Sequence, residues 1–287
     1  MSGEDENESS RREKGVMPFS VLVIDSGIGG LSVVQAIRKI SPALSVTYLA
    51  DNGGFPYGAL SIGSLTSRID LLISNLTTEI NFDAVVLACN TASTAVLSAL
   101  RQRYAFPIIG VVPPVKTAGE ISVSRQIALL ATEGTSGRGY IDDLAQTFAA
   151  DCQIFRVPCP DLAQQAELKA TGQEVDVSLL RSNLSVVSSD EWAKIDTIIL
   201  GCTHYPFIKE ELEGIVGPDK VWLDPALPVA RHLIATLAQK ETASIEQRSA
   251  NENAIYFTAT ISPDAVFKAF LEKIGFSCIR QLEDFVA

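Results

Sequence analysis

Apolar residues in this chain gather in short blocks separated by polar, glycine-rich turns. Residues 21–25, VLVID, form an apolar run closed by a carboxylate; SGIGG follows as a turn, and LSVVQAIRKI then carries apolar residues at helical spacing. Strand, glycine turn and helix open an α/β unit. Further strands are predicted at residues 45–50, 84–88, 108–112, 127–131, 152–157, 197–200 and 221–223, mostly with helix-like stretches between them. Such alternation predicts an α/β fold with mostly parallel sheets and helices on both faces.

The pattern is written twice. LACNTAS (residues 87–93) and LGCTHYP (residues 200–206) each place a cysteine one residue past an apolar run and just before a polar pair or a threonine; the runs themselves, DAVVLA and DTIILG, also correspond. VLVIDSGIGG likewise finds a partner in ALLATEGTSG, both ending an apolar strand in a polar glycine turn. Two pseudo-symmetric α/β domains would put all four turns at the carboxyl ends of strands, where open α/β sheets bind ligands. The Pro113-Pro114 pair and the Asp224-Pro225 turn are the expected crossings. They give a first domain of residues 19–113 plus 225–287 and a second of residues 114–224. Residues 1–18, rich in Glu, Ser and Arg, are expected to form a disordered extension, because they hold too little apolar surface to offset the entropy of ordering.

Composition narrows the function. With 287 residues and 47% apolar content the chain can bury one large or two modest cores. The apolar runs are too short to span a bilayer and the N-terminus lacks a signal-peptide stretch, so a cytoplasmic protein without membrane contact is expected. A formal charge of -11 argues against direct nucleic-acid binding, which needs a basic face. Five cysteines without paired spacing suit free thiols in a reducing compartment.

The chemistry centres on Cys89 and Cys202. A lone free cysteine usually acts as a small buried hydrophobe. Two at corresponding strand ends, beside Asn90-Thr91 and Thr203-His204, are instead placed for backbone N–H groups to stabilise a thiolate. Zinc is a poor competing use, with no C-x-x-C and only two histidines, His204 and His232. DSGIGG departs from both G-x-G-x-x-G and a lysine-bearing phosphate loop, so it reads as a close-approach turn whose N–H groups can receive a carboxylate. Asp25 there has a bland alternative as a helix cap. In DNGGFPYG, Pro56, Tyr57 and Gly58 offer a fixed backbone for ligand hydrogen bonds, or only a surface ring. Thr132 and Thr135 of ATEGT offer hydroxyls for a second carboxylate. Glu167 lies in a helix-like stretch that by itself says solvated face; Cys152, Cys159 and Cys278 read as structural. There is no G-x-S-x-G, no H-E-x-x-H and no lysine placed for a pyridoxal Schiff base; Lys116 is the nearest candidate and sits poorly.

In this order, VIDSGIGGLSV, ADNGGFPYG, ACNTAS, GVVP, LLATEGT, GCTHYP and LDPA resemble the glutamate racemase family within the aspartate/glutamate racemase superfamily, over about residues 21–226. The resemblance implies an active site in the cleft between the two domains and two-base racemisation of L-glutamate to D-glutamate for peptidoglycan synthesis, with no cofactor and no metal. Cys202 would take the α-proton from L-glutamate and Cys89 from D-glutamate. Asp25, Ser26, Pro56, Tyr57, Gly58, Asn90, Thr91, Thr203 and His204 would hold the substrate, with Asp25 assisting Cys89, and Glu167 and His204 assisting Cys202. The Glu167 neighbourhood, CPDLAQQAE, follows the family pattern CPLFVPLVE in part. The N-terminal extension and SGRGY, with Tyr140, look like the enterobacterial-type members that UDP-N-acetylmuramoyl-L-alanine activates. Expected partners are therefore glutamate, that activator and a second copy in a homodimer. Aspartate racemase, or a non-catalytic gyrase-binding regulator, are the alternatives.

Overall fold

The computed structural model describes residues 19–136, 139–240 and 253–282. The extension at residues 1–18, and Gly137-Arg138 within SGRGY, lie outside the described residues. Among the described residues, ten strands form two parallel sheets. The first holds β1 (Ser20–Asp25), β2 (Ser45–Ala50), β3 (Ala84–Leu87), β4 (Ile108–Gly110), β9 (Ala254–Phe257) and β10 (Cys278–Gln281), in the order β10-β9-β2-β1-β3-β4. The second holds β5 (Gln126–Ala131), β6 (Gln153–Pro158), β7 (Thr197–Leu200) and β8 (Val221–Leu223), in the order β6-β5-β7-β8.

Twelve helices accompany them. Around the first sheet stand α1 (Leu31–Ile40), α2 (Ile62–Glu79), α3 (Asn90–Arg103), α11 (Ala226–Ala238) and α12 (Ala265–Ile274). The others are α4 (Val115–Ile121), α5 (Glu133–Ser136), α6 (Tyr140–Phe148), α7 (Leu162–Ala170), α8 (Val177–Leu184), α9 (Ser189–Lys194) and α10 (Lys209–Val216). No helix among the described residues is long and apolar enough to cross a membrane.

The duplication read in the sequence is a duplication of topology. In each sheet the second strand in chain order lies outside the first, and the third and fourth continue on the other side. Strand order therefore reverses between β1 and β3, and again between β5 and β7. At such a reversal, successive helices leave on opposite faces and open a crevice at the carboxyl ends of the strands. Asp25 and Cys89 end or follow one pair; Thr132 and Cys202 follow the other.

Burial on both faces explains the unbroken apolar strands. In β1, Val21 and Val23 pack into one core cluster, and Leu22 and Ile24 into the cluster on the opposite face. In β5, Ala128 and Leu130 face one cluster while Ile127, Leu129 and Ala131 face the other. The structure departs from expectation in two places. The sequence pattern marks its last strand at residues 221–223, yet AIYF and CIRQ extend the first sheet beyond β2 as β9 and β10. CIRQ stands at the sheet edge with its last two residues exposed, so it lacks the continuous apolar run that marks the buried strands. The predicted glycine turn in ATEGTSG is a single helical turn, α5, started by the Thr135 N–H donating to the Thr132 carbonyl at 3.0 Å.

An aspartate precedes the third strand of each sheet and ties it to its neighbours. Asp83 accepts from the Ser20 N–H at 2.9 Å. Asp196 gathers the crossing turn between the sheets, accepting from the N–H groups of Val123 (2.7 Å) and Ser124 (2.6 Å) and the hydroxyls of Ser122 (2.7 Å) and Thr197 (2.8 Å). Burial raises its pKa, but these hydrogen bonds outweigh burial and hold it at about 2. The depressed folded-state value means that Asp196 stabilises the fold above the ordinary aspartate range near 4 and loses that contribution as pH falls toward 2. Asp196→Ala is expected to cost about 1–2 kcal/mol, modest because the carboxylate is partly solvated. Chemical denaturation from pH 7 to pH 2 checks this, since the variant should lack that part of the wild-type acid destabilisation.

Candidate active site

The first half-site is built on β1 and β3. Asp25, the last residue of β1, is fully buried. One carboxylate oxygen accepts from the Ser26 hydroxyl (3.2 Å) and the Gly27 N–H (3.0 Å); the other accepts from the Thr203 hydroxyl (2.8 Å), which comes from the opposite half. Asp25 is therefore not the cap of α1, whose N-cap is Gly30. Burial raises its pKa to about 6, although the charge of His204 and the hydrogen bonds from Thr203 and Gly27 pull the other way. Cys89 is the N-cap of α3 and is buried. Burial and then the Asp25 charge push its thiol well above the ordinary range, against the N–H groups of Ala92 and Thr91 at the start of the helix. Beside it, Asn90 is buried with neither end of its amide hydrogen-bonded to protein.

The second half-site is built on β7 and α7. Cys202 Sγ lies 3.7 Å from His204 Nδ1, and His204 Nε2 lies 2.8 Å from Glu167 Oε1. Burial disfavours a charged ring, but the hydrogen bonds to Cys202 and Glu167, with the negative charge of Asp25 and Cys202, raise the His204 pKa well above its ordinary value. The raised pKa favours the protonated ring, the form in which one N–H can donate toward sulfur and the other to carboxylate. Glu167 does not lie on a solvated face. Its Oε1 also accepts from the Ile28 N–H at 2.7 Å, so the carboxylate received by the SGIGG turn is one of the protein's own.

Glycine makes this crossing possible. A Cβ on Gly27 would stand 2.0 Å from Glu167 Oε1, and one on Gly29 would stand 2.2 Å from His204 Nδ1. Only a bare backbone fits there. A second seam joins the halves through hydroxyls: Thr91 lies 3.1 Å from Thr132 and 3.2 Å from Thr135, and Thr132 lies 3.2 Å from Thr135.

Pro56, Tyr57 and Gly58 form a loop against this seam, with Gly58 touching Gly134. Tyr57 is not a surface ring. It is buried, and its hydroxyl donates to Asp51 at 2.8 Å, so what the loop offers a ligand is backbone N–H at the start of its helical turn. Sequence reading missed Phe55, whose ring packs 5.7 Å from that of His204, and the Ile28 N–H. Phe55 lay within a motif already noted; the Ile28–Glu167 contact spans 139 residues and leaves no local signal. Among the described residues no cluster of three or more His, Cys, Asp or Glu is arranged to hold a metal ion.

The family model for Asp/Glu/hydantoin racemases matches residues 21–232. The chain belongs to that family. Among its racemase relatives, the glutamate racemase of Shewanella pealeana is 40% identical over 84% of this chain and 90% of its own length. That of Haemophilus influenzae is 37% identical over 92% and 96%. The structure of Escherichia coli glutamate racemase in complex with L-glutamate and the activator UDP-MurNAc-ala is similar at a TM-score of 0.83, with 33% identity over 92% of this chain and 97% of that one.

The paired thiols make sense within a racemase, where a proton leaves one face of a carbon and another arrives at the opposite face. Nitrogen NMR of the imidazole rings should find His204 still protonated above neutral pH, with its signal assigned by loss in His204→Gln. Gly29→Ala, which displaces the ring, should lower that titration toward the ordinary histidine range; an unchanged titration would show that the close approach does not hold the imidazolium.

Proposed function

We propose that this racemase interconverts L- and D-glutamate through a two-cysteine, two-base proton transfer, without a cofactor, and so supplies D-glutamate for peptidoglycan synthesis. The observation that carries the reading is the pair of buried thiols at equivalent strand ends in opposite electrostatic surroundings. Cys202 faces the His204 ring, whose pKa is raised, whereas Cys89 faces the Asp25 carboxylate. The glutamate racemase names of relatives at 37% and 40% identity over most of the chain favour glutamate over aspartate.

An amino-acid α-proton is far less acidic than a thiol, so the site must stabilise the charge that develops on the substrate carboxylate. Fixed donors in a closed cleft do this best. In our reading the unpartnered Asn90 amide, the N–H groups at the start of α3, Ser26 and Thr203 hold the α-carboxylate and ammonium. The hydroxyls of Thr91, Thr132 and Thr135 receive the side-chain carboxylate. Cys202, beside His204, is the better seat for negative charge and takes the proton from L-glutamate. Cys89, kept as a thiol by burial and Asp25, delivers a proton to the other face. In reverse, Cys89 must first lose its proton, and the Asp25 carboxylate favours that only as the nearby acceptor. Likeness to the E. coli enzyme also supports activation by UDP-N-acetylmuramoyl-L-alanine.

Cys89→Ser and Cys202→Ser should each remove nearly all glutamate racemisation while leaving the circular dichroism spectrum intact. A positioned acid or base contributes on the order of 10²- to 10⁴-fold, so more than roughly a tenth of the activity in either variant would overturn the two-thiol account. A second expectation concerns pH. Asp25 gains a proton as pH falls through about 6, so kcat/KM for D-glutamate should decline on an acid limb with an apparent pKa near that value. Asp25→Asn should abolish the limb together with most of the D-to-L rate; a limb that persists in the variant would assign it to another group.

A further inference from the structure

The loop between β2 and α2 touches both half-sites. The Phe55 ring lies 5.7 Å from the ring of His204, and Tyr57 is buried in the same apolar cluster as Cys89. Gly58 abuts Gly134 of the second half, where an added Cβ would lie 3.3 Å from the Gly58 Cα. Apart from two short helical turns at Asn52–Gly54 and Tyr57–Ala59, the loop has no regular structure to fix it.

Its anchor is Asp51, fully buried at the end of β2. Four donors saturate this carboxylate. Oδ1 accepts from the Thr258 hydroxyl (2.6 Å) and Arg68 Nη2 (2.7 Å); Oδ2 accepts from Arg68 Nε (2.6 Å) and the Tyr57 hydroxyl (2.8 Å). Arg68 projects from α2, with its side chain 14% exposed, while Thr258 follows β9 and itself accepts from the Gly53 N–H at 3.0 Å. The planar guanidinium meets the carboxylate through two parallel bonds, which fixes direction as well as distance. With one oxygen orientation set by arginine, the Tyr57 hydroxyl has a single place to donate. That bond holds the ring, and hence the backbone of residues 56–58, beside Cys89.

We propose that Arg68 is a positioning residue for racemisation, acting through Asp51 and the Tyr57 hydroxyl on the loop that touches both half-sites. The proposal rests on the glutamate racemase reading above. A merely structural ion pair would also cost stability when broken. Positioning adds a demand that stability alone does not: an altered response to substrate in enzyme that is still folded.

The test compares wild type, Arg68→Lys, Tyr57→Phe and the double variant by thermal unfolding and by steady-state kinetics in both directions. Kinetics are taken at a temperature where circular dichroism shows each protein folded. Arg68→Lys keeps the charge and loses the fork; Tyr57→Phe keeps the ring and loses only the tether. Each single variant should raise KM for glutamate roughly fivefold, the scale of one lost hydrogen bond, with a smaller change in kcat. The double variant should be no worse than the more impaired single, because both cut one tether. A wild-type KM in either folded single variant, or losses that multiply in the double, would overturn the proposal. If Arg68→Lys does not fold, the KM of Tyr57→Phe decides alone. Wild type inactive on glutamate would defeat the racemase reading and this proposal with it, whereas active wild type matched by its variants defeats the proposal alone.

Discussion

The site depends on one shared oxygen. Glu167 Oε1 accepts from His204 Nε2 within its own half and from the Ile28 N–H of the other half. A buried imidazolium needs a partner, because isolated charge is costly away from water. Glu167 can serve only if the two halves approach to backbone contact, which the bare Cα atoms of Gly27 and Gly29 permit. The same contact that closes the cleft therefore sets the charge on His204, and through it the environment of Cys202. Thr203 and Asp25 make the reciprocal link, a hydroxyl from the second half fixing the carboxylate of the first.

Two half-sites of the same strand topology thus become chemically unlike. Both cysteines follow the third strand of a four-strand unit with the same order, where the sheet's reversal opens a crevice. The residues that follow differ: a helix starts directly at Asn90, whereas Thr203 and His204 precede a short helical turn. Burial then raises the Cys89 thiol beside Asp25, while Cys202 sits against the His204 ring. The asymmetry gives two thiols at matched positions in the fold unlike surroundings.

The strands were legible because parallel strands covered on both faces are written as continuous apolar runs, as in VLVID and TIIL. β9 and β10 were not: CIRQ at the sheet edge lacks a continuous apolar run, and the sheet continues there through tertiary pairing, β9 with β2 and β10 with β9. Repetition of the cysteine motifs made Cys89 and Cys202 stand out, and the glycines of SGIGG gave a close approach without naming what approaches. That partner, Glu167, reads locally as one more helical surface residue; its position became visible only when α7 was placed against the SGIGG turn. Tyr57 shows the converse. Its motif was conspicuous, but its hydroxyl serves Asp51, a neighbour six residues back that sequence offered no reason to choose.

Proton bookkeeping at the α-carbon tests the account most directly. L-glutamate is incubated with the protein in D₂O, and deuterium is measured separately in the D-glutamate formed and the L-glutamate recovered at low conversion. Two thiols on opposite faces predict D-glutamate that carries solvent deuterium at the α-carbon from its first appearance, while recovered L-glutamate keeps its protium. Deuterium entering L-glutamate as fast as D-glutamate forms would point to one base working both faces, and would contradict the division of labour between Cys89 and Cys202.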